Sequence, residues 1–216
     1  MSGQDSFYSD ILRGLAVYFD SRFIADIRDT AAHFPDPALG YALNRNQMTS
    51  KKWLVDTLLD VTGGDLGRVC VVGGWYGVLG AMLLHDKRFA VESVCSVDRD
   101  GSCTEVADSL NRTHVESGRF KSLTADMVEL DYRDGGYDLV INTSCEHLPA
   151  IGDWLKRTPD GMLLALQSND YYGIEGHVSC VDNLAAFKRQ APLSTVMFEG
   201  QMKIGTYTRF MLIGRR

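Results

Sequence analysis

Apolar residues recur at three- and four-residue steps over residues 7–32, at Leu12, Leu15, Phe19, Phe23 and Ile27, with Asp, Arg and Ser between them. That period predicts an amphipathic helix. The segment "HFPDPALG" ends it, because each proline removes a donor and constrains the residue before it. A second helix is predicted within "MTSKKWLVDTLLDVTGG", capped by Thr49 or Ser50 and stopped at Gly63–Gly64. Then the rhythm changes. "RVCVVGG" is a continuous apolar run, as a strand buried on both faces requires. "VLGAMLLHD" reads as helix, "VESVCSVDRD" as a strand ending in acid, and "SCTEVADSLNRTH" as one helix. "RFKSLTADM" and "YDLVINTS" read as strands, with a short helix around 149–156. "GMLLALQSND" is a strand, "DNLAAFKRQA" a helix, and "STVMFEGQMKI" and "GTYTRFMLIGRR" two closing strands.

Strands alternating with helices predict an α/β fold with right-handed crossovers. The expected architecture is a Rossmann-like, doubly wound, mostly parallel seven-stranded sheet. A C-terminal antiparallel hairpin closes it, because no helix pattern separates the last two strands. Residues 1–48 are expected to form an N-terminal helical cap, and residues 49–216 the binding and catalytic domain. In such sheets ligands sit beyond the carboxyl ends of the strands.

Composition narrows the function. A net charge of −6 argues against a nucleic-acid partner, which needs clustered Lys and Arg. The polar, acidic start is no signal peptide, and no apolar run is long enough to span a bilayer. The five cysteines include no CxxC pair, and Cys70 and Cys95 sit in strand-like runs. No disulfide scaffold and no metal site is expected, and a reducing cytoplasm fits.

The chemistry concentrates at strand ends. Gly73 follows the first strand and Gly77 opens the next helix, so the turn Gly73–Gly74–Trp75–Tyr76–Gly77 is a candidate nucleotide site. Glycine permits positive φ and close backbone approach, and the helix N-terminus offers free N–H groups. Asp98 ends the next strand, followed by Arg99, and a carboxylate there can accept both ribose hydroxyls of an adenosine. Trp75 stands where backbone would meet a pyrophosphate. That disfavours NAD or FAD and points to S-adenosylmethionine (SAM), an adenosine ligand without phosphate.

On these residues the chain resembles the class I SAM-dependent methyltransferases over roughly residues 50–216. "VCVVGGWYG" looks like their first motif, and Asp98 in "SVDRD" matches their ribose acid. "LTADM" is similar to the segment whose Asp, here Asp126, meets the adenine amine, with Met127 beside the ring. "YDLVINTSCEHL" and "TPDGMLLALQ" resemble their fourth and fifth strands. The chain departs from the pattern at Val71, where the family often has an acid, and at Trp75. Gln47, Lys51 and Lys52 are therefore candidates for the SAM carboxylate. "SKKWL", "GGWYG", "NTSCEHL" and "LQSND" together are also similar to the branch that cyclises SAM to azetidine-2-carboxylate.

The remaining candidates lie after the fourth and fifth strands. Asn142 and Tyr172 are expected to position polar groups, Asn142 also toward SAM, and Glu146 or His147 to act as general base. No NPPY or DPPY motif follows the fourth strand, so a small-molecule substrate is expected, with no nucleic acid and no membrane. Three readings follow. They are methyl transfer to a small molecule, cyclisation of SAM alone with release of methylthioadenosine, and a non-catalytic SAM-binding module.

Overall fold

The computed structural model describes residues 14–15, 22–34 and 37–216. Leu12 and Phe19 of the first expected helix lie outside these. Helix α1 (Arg22–His33) carries its last part, followed by α2 (Pro37–Ala42) and α3 (Arg45–Thr62). Then come β1 (Asp65–Val72), α4 (Val78–His85), β2 (Ala90–Asp98), α5 (Ser102–Leu110), α6 (Arg112–Glu116), β3 (Phe120–Thr124) and β4 (Leu139–Asn142). A 3-10 turn (Cys145–His147), α7 (Ile151–Leu155), β5 (Leu163–Asn169), α8 (Leu184–Gln190), β6 (Thr195–Ile204) and β7 (Tyr207–Arg215) complete the chain.

The sheet runs in the order β3-β2-β1-β4-β5-β7-β6. Strands β1 to β5 pair in parallel, and β7 is antiparallel to both β5 and β6. This is the expected doubly wound sheet with a reversed hairpin at its edge. The continuous apolar run of β1 has a direct cause. Val69 and Val71 face a core with Leu54, Leu58 and Leu83, while Cys70 and Val72 face a second core with Trp154 and Phe187. Side chains alternate along a strand, so a strand covered on both faces is apolar at every position.

Helix α3 starts earlier than its pattern suggests. Asn44 caps it, its Oδ1 accepting the Gln47 N–H at 2.9 Å, and Gly63 ends it in the left-handed conformation at φ 69°. Ser50 is not a cap; it is buried inside the helix, and its hydroxyl donates to Gln167 Oε1 on β5 at 3.1 Å. The helix face holding Ser50, Leu54, Val55, Thr57 and Leu58 is buried, and each fully buried leucine contributes roughly 1.5–3 kcal/mol.

The helix expected over "SCTEVADSLNRTH" is divided at Asn111 into α5 and α6. Asn111 is fully buried, and its amide donates to the Ala107 carbonyl at 2.9 Å and the Gly77 carbonyl at 3.2 Å. It exchanges helix continuity for a tie to the glycine turn. Helix α1 packs on this side too. Phe23 and Ile27 join Leu39, Tyr76, Val106 and Leu110. Thr30 bonds Ser109 at 2.9 Å, and Arg112 pairs with Asp29 at 2.9 Å. Among the described residues, no helix is long and apolar enough to cross a membrane.

Candidate functional site

The turn after β1 holds its glycines for different reasons. A Cβ at Gly74 would meet Ser96 Oγ at 2.1 Å, so that glycine is required by packing against β2. A Cβ at Gly77 would meet Asn111 Nδ2 at 2.8 Å and Phe120 at 3.0 Å, and its φ is 69°. Gly73, at φ 62°, instead faces the residues after β3 and β4, 3.2 Å from Ser144 and 3.7 Å from Met127 Cε by the same measure. Gly73 is thus the glycine of this turn that opens toward the other strand ends.

Trp75 sits at φ 49°, the one non-glycine with positive φ among the described residues. That conformation costs roughly 1–2 kcal/mol. Two contacts offset it. The Trp75 N–H donates to Asp98 Oδ2 at 2.9 Å, and the indole stacks on buried Tyr76 at 5.1 Å while packing against the α2–α5 cluster. The other Asp98 oxygen accepts the Asp100 N–H at 3.1 Å. Asp98 therefore joins the tip of β2 to the glycine turn. Arg99 beside it is exposed.

At the next strand end, Asp126 is exposed and accepts the Val128 N–H at 2.9 Å. Met127 is partly buried and fixed from below. Trp154 Nε1 donates to the Tyr132 hydroxyl at 2.9 Å, and that hydroxyl donates to the Met127 carbonyl at 2.7 Å. Asn142, fully buried at the end of β4, directs its amide to Met127 Sδ at 3.6 Å and accepts the Ser144 N–H at 2.8 Å. Gly73, Met127, Asn142 and Ser144 are thereby brought together.

The β4–β5–β7 side is built differently. Glu146 is 3% exposed, and its Oε1 accepts from Asn169 Nδ2 at 2.6 Å and Arg209 Nη1 at 2.8 Å. Arg209 also donates to the Thr143 carbonyl. Sequence reading missed Arg209; the available signal was a lone charge within the apolar run "RFMLIG" of the last strand. Lys51 projects to this side, where burial and the charge of Arg209 push it down to about 8, and its Nζ donates to Gln47 Oε1 at 2.7 Å. Lys52, its neighbour, is exposed and pairs with Asp56 across the outer face of α3.

His147 packs edge-to-face on His177, ring centroids 4.7 Å apart. Desolvation, with the charges of His177 and Arg209 adding to it, holds His147 below the ordinary histidine value despite Glu146 nearby. Tyr172 lies apart from these groups. It is 55% exposed, and its hydroxyl bonds Asp182 at 2.5 Å, which pushes it up to about 12. Two concavities, of about 530 Å³ around Lys156, Asp160 and Arg216 and about 280 Å³ around Arg68, Arg119 and Tyr137, lie at the amino ends of the parallel strands. No candidate residue lines either of them.

Solved structures share this fold. NodS, an N-methyltransferase from Bradyrhizobium japonicum WM9 in complex with S-adenosylhomocysteine, aligns with TM-score 0.62 at 10% identity, covering 88% of this chain and 99% of NodS. The [4+2]-cyclase SpnF aligns with TM-score 0.59 at 13% identity, covering 79% of this chain and 82% of SpnF. A Galdieria sulphuraria structure assigned as a sarcosine dimethylglycine methyltransferase aligns with TM-score 0.57 at 14% identity, over 72% of this chain; the chain spans 64% of that protein's length. No family model matches the sequence, and a search of curated proteins finds no match. At these identities the likeness is one of fold, and one fold hosts more than one reaction. The fold is the one these methyltransferase and cyclase structures share.

Proposed function

We propose that the chain is an enzyme that binds SAM across the carboxyl ends of β1 to β4 and donates its methyl group to a small molecule. The observation that carries this is the convergence of Gly73, Met127, Asn142 and Ser144 beside an acid, Asp98, tied to the glycine turn. In this reading Asp98 accepts the ribose hydroxyls, Asp126 meets the adenine amine and Met127 lies against the ring. In this reading Trp75, at φ 49°, stands in the turn where a pyrophosphate would meet backbone, which favours a phosphate-free ligand. The complex of NodS with S-adenosylhomocysteine supports the same choice of ligand.

At the methionine end, Lys51 serves the SAM carboxylate and Asn142 a polar group. Lys52 is turned to Asp56 and takes no part. Methyl transfer needs mainly alignment and exclusion of water, so no residue need act covalently. Glu146 already holds two donors on Oε1, and it serves better as an anchor than as a base.

Lys51 favours a second reading, in which SAM is the sole substrate. A lysine at about 8 is partly neutral at mildly alkaline pH and can take a proton from the SAM α-ammonium. The freed amine attacks its own γ-carbon, the carbon–sulfur bond breaks, and methylthioadenosine leaves as a neutral thioether. Incubation of the purified chain with SAM, alone and with an acceptor panel, separates the readings. S-adenosylhomocysteine formed only with an acceptor supports methyl transfer. Methylthioadenosine without an acceptor supports cyclisation. SAM binding with neither product would make the chain a binding module.

A further inference from the structure

We infer that Glu146, His147 and His177 form a binding site for a divalent first-row transition-metal ion at the end of β4. One carboxylate oxygen of Glu146 and one ring nitrogen from each histidine lie within 4.8 Å of one another. Two imidazoles and a carboxylate are the donor set that zinc, cobalt and ferrous ions accept, with positions left open for another ligand. The sequence reading looked for metal ligands among the cysteines; these donors come from elsewhere.

A second, independent observation points to a ligand. Glu146 is 97% buried by its 3% exposure, yet its Oε2 has no hydrogen-bond partner among the described residues. A buried carboxylate oxygen left bare costs stability, and a cation satisfies it. The other oxygen is held by Asn169 and Arg209, which fixes the carboxylate plane.

The histidines are supported as metal ligands are. His177 Nδ1 is 2.8 Å from the Tyr171 carbonyl, so its Nε2 is the nitrogen left for a metal. Tyr171 is held in turn by stacking on Tyr207 at 5.0 Å and 8°. The Gly176 backbone packs over the His147 ring, where a Cβ would lie 3.3 Å from Nδ1. Backbone carbonyls on the far ring nitrogen orient imidazoles toward metals. Both strands of the loop are pinned beneath the site, since the Glu146 carbonyl accepts the Val178 and Ser179 N–H groups at 2.9 Å each.

Cys180 is the neighbour that could displace a histidine from this set, since its Sγ lies 3.6 Å from His177 Nδ1. Its contacts are with His177, Asn169 and Tyr171, on the side of His177 facing away from the free nitrogen. It is assigned to the support of the site. Metal binding here does not depend on the SAM reading and is measurable without SAM.

The test is titration of the chelator-dialysed full chain with Co²⁺ alone, followed by visible d–d absorption, then displacement by Zn²⁺. The expected result is saturation at one Co²⁺ per chain with displacement by Zn²⁺. His147→Ala and His177→Ala should each weaken binding about tenfold or more, with unchanged far-ultraviolet circular dichroism, and Cys180→Ser should leave it within about twofold. Glu146→Gln disturbs the Arg209 pair, so the histidine variants carry the decision. No stoichiometric Co²⁺ spectrum, or equal binding by the His147→Ala/His177→Ala double variant, would overturn the site. Loss of binding in Cys180→Ser would overturn this ligand set.

Discussion

The two halves of the carboxyl edge are held together by opposite means. On the β1–β3 side, acids satisfy backbone N–H groups close by in sequence or on the adjacent turn. Asp98 bonds Trp75 and Asp100, Asp126 bonds Val128, and Asp100 bonds Ser102. Asp100 and Asp126 are exposed and Asp98 is half-buried. On the β4–β7 side, Glu146 reaches Asn169 and Arg209, 23 and 63 residues away, within the protein interior. The first half is a set of local turns at the protein surface. The second is a buried polar network whose members depend on one another.

The comparison breaks most sharply at Arg209. Arg209→Met leaves the Glu146 carboxylate buried without its ion partner, and such losses cost about 3–5 kcal/mol. Urea unfolding should show that loss, whereas Glu146→Leu combined with Arg209→Met should recover much of it. Equal destabilisation by the single and double variants would mean that the pair does not act as a unit.

Next in size is a pH effect behind the β1–β3 half. His85 and His114 meet edge-to-face at 4.5 Å, and each leaves its Nε2 without a partner among the described residues. Burial, the mutual repulsion of the pair and Arg119 push His114 down to about 4, and burial and Arg119 lower His85 too. The folded state therefore prefers both neutral, and the unfolded chain protonates first as pH falls. Their contribution is fully present above about pH 6.5 and is lost as pH falls toward about 4. For His114 the loss is on the order of 3 kcal/mol, from a shift of 6.5 to about 4. Thermal melts across that window should fall less steeply for His114→Phe than for the parent chain, and parallel slopes would contradict the assignment.

Asp98→Asn sharpens the contrast from the ligand side. An amide oxygen keeps one backbone contact but loses the charge and the second acceptor. We expect SAM affinity to drop about tenfold, some 1.4 kcal/mol, with a melting temperature close to the parent's. A large loss of stability with unchanged affinity would make Asp98 structural. Trp75→Gly should have the smallest effect on folding, because relief of the left-handed strain offsets lost indole packing. Turnover should fall more than stability does; unchanged turnover would reduce the indole to packing.

What could be read from the sequence follows the same division. The sheet was legible because Val69 to Val72 are apolar on both faces and Gly63, Gly73 and Gly77 punctuate the chain. The positions of Asp98 at the end of β2 and of Met127 just after β3 were legible from the strand pattern, whereas their part in binding is a proposal. The cap of α3 was not, since Thr49 and Ser50 compete on pattern with Asn44, and burial against Gln167 decides between them. The division of α5 from α6 depends on Asn111 reaching Gly77, 34 residues away. The Glu146–Arg209 pair and the approach of His177 to His147 come only from tertiary contacts, which no local period records.

The central claim is that the open half of this edge holds a phosphate-free adenosine ligand. Calorimetric titration of the purified chain with SAM and, separately, with NAD tests it most directly. The account predicts saturable binding of SAM at one site, weakened by Asp98→Asn, and no binding of NAD. Absence of SAM binding, or tighter binding of NAD, would contradict it.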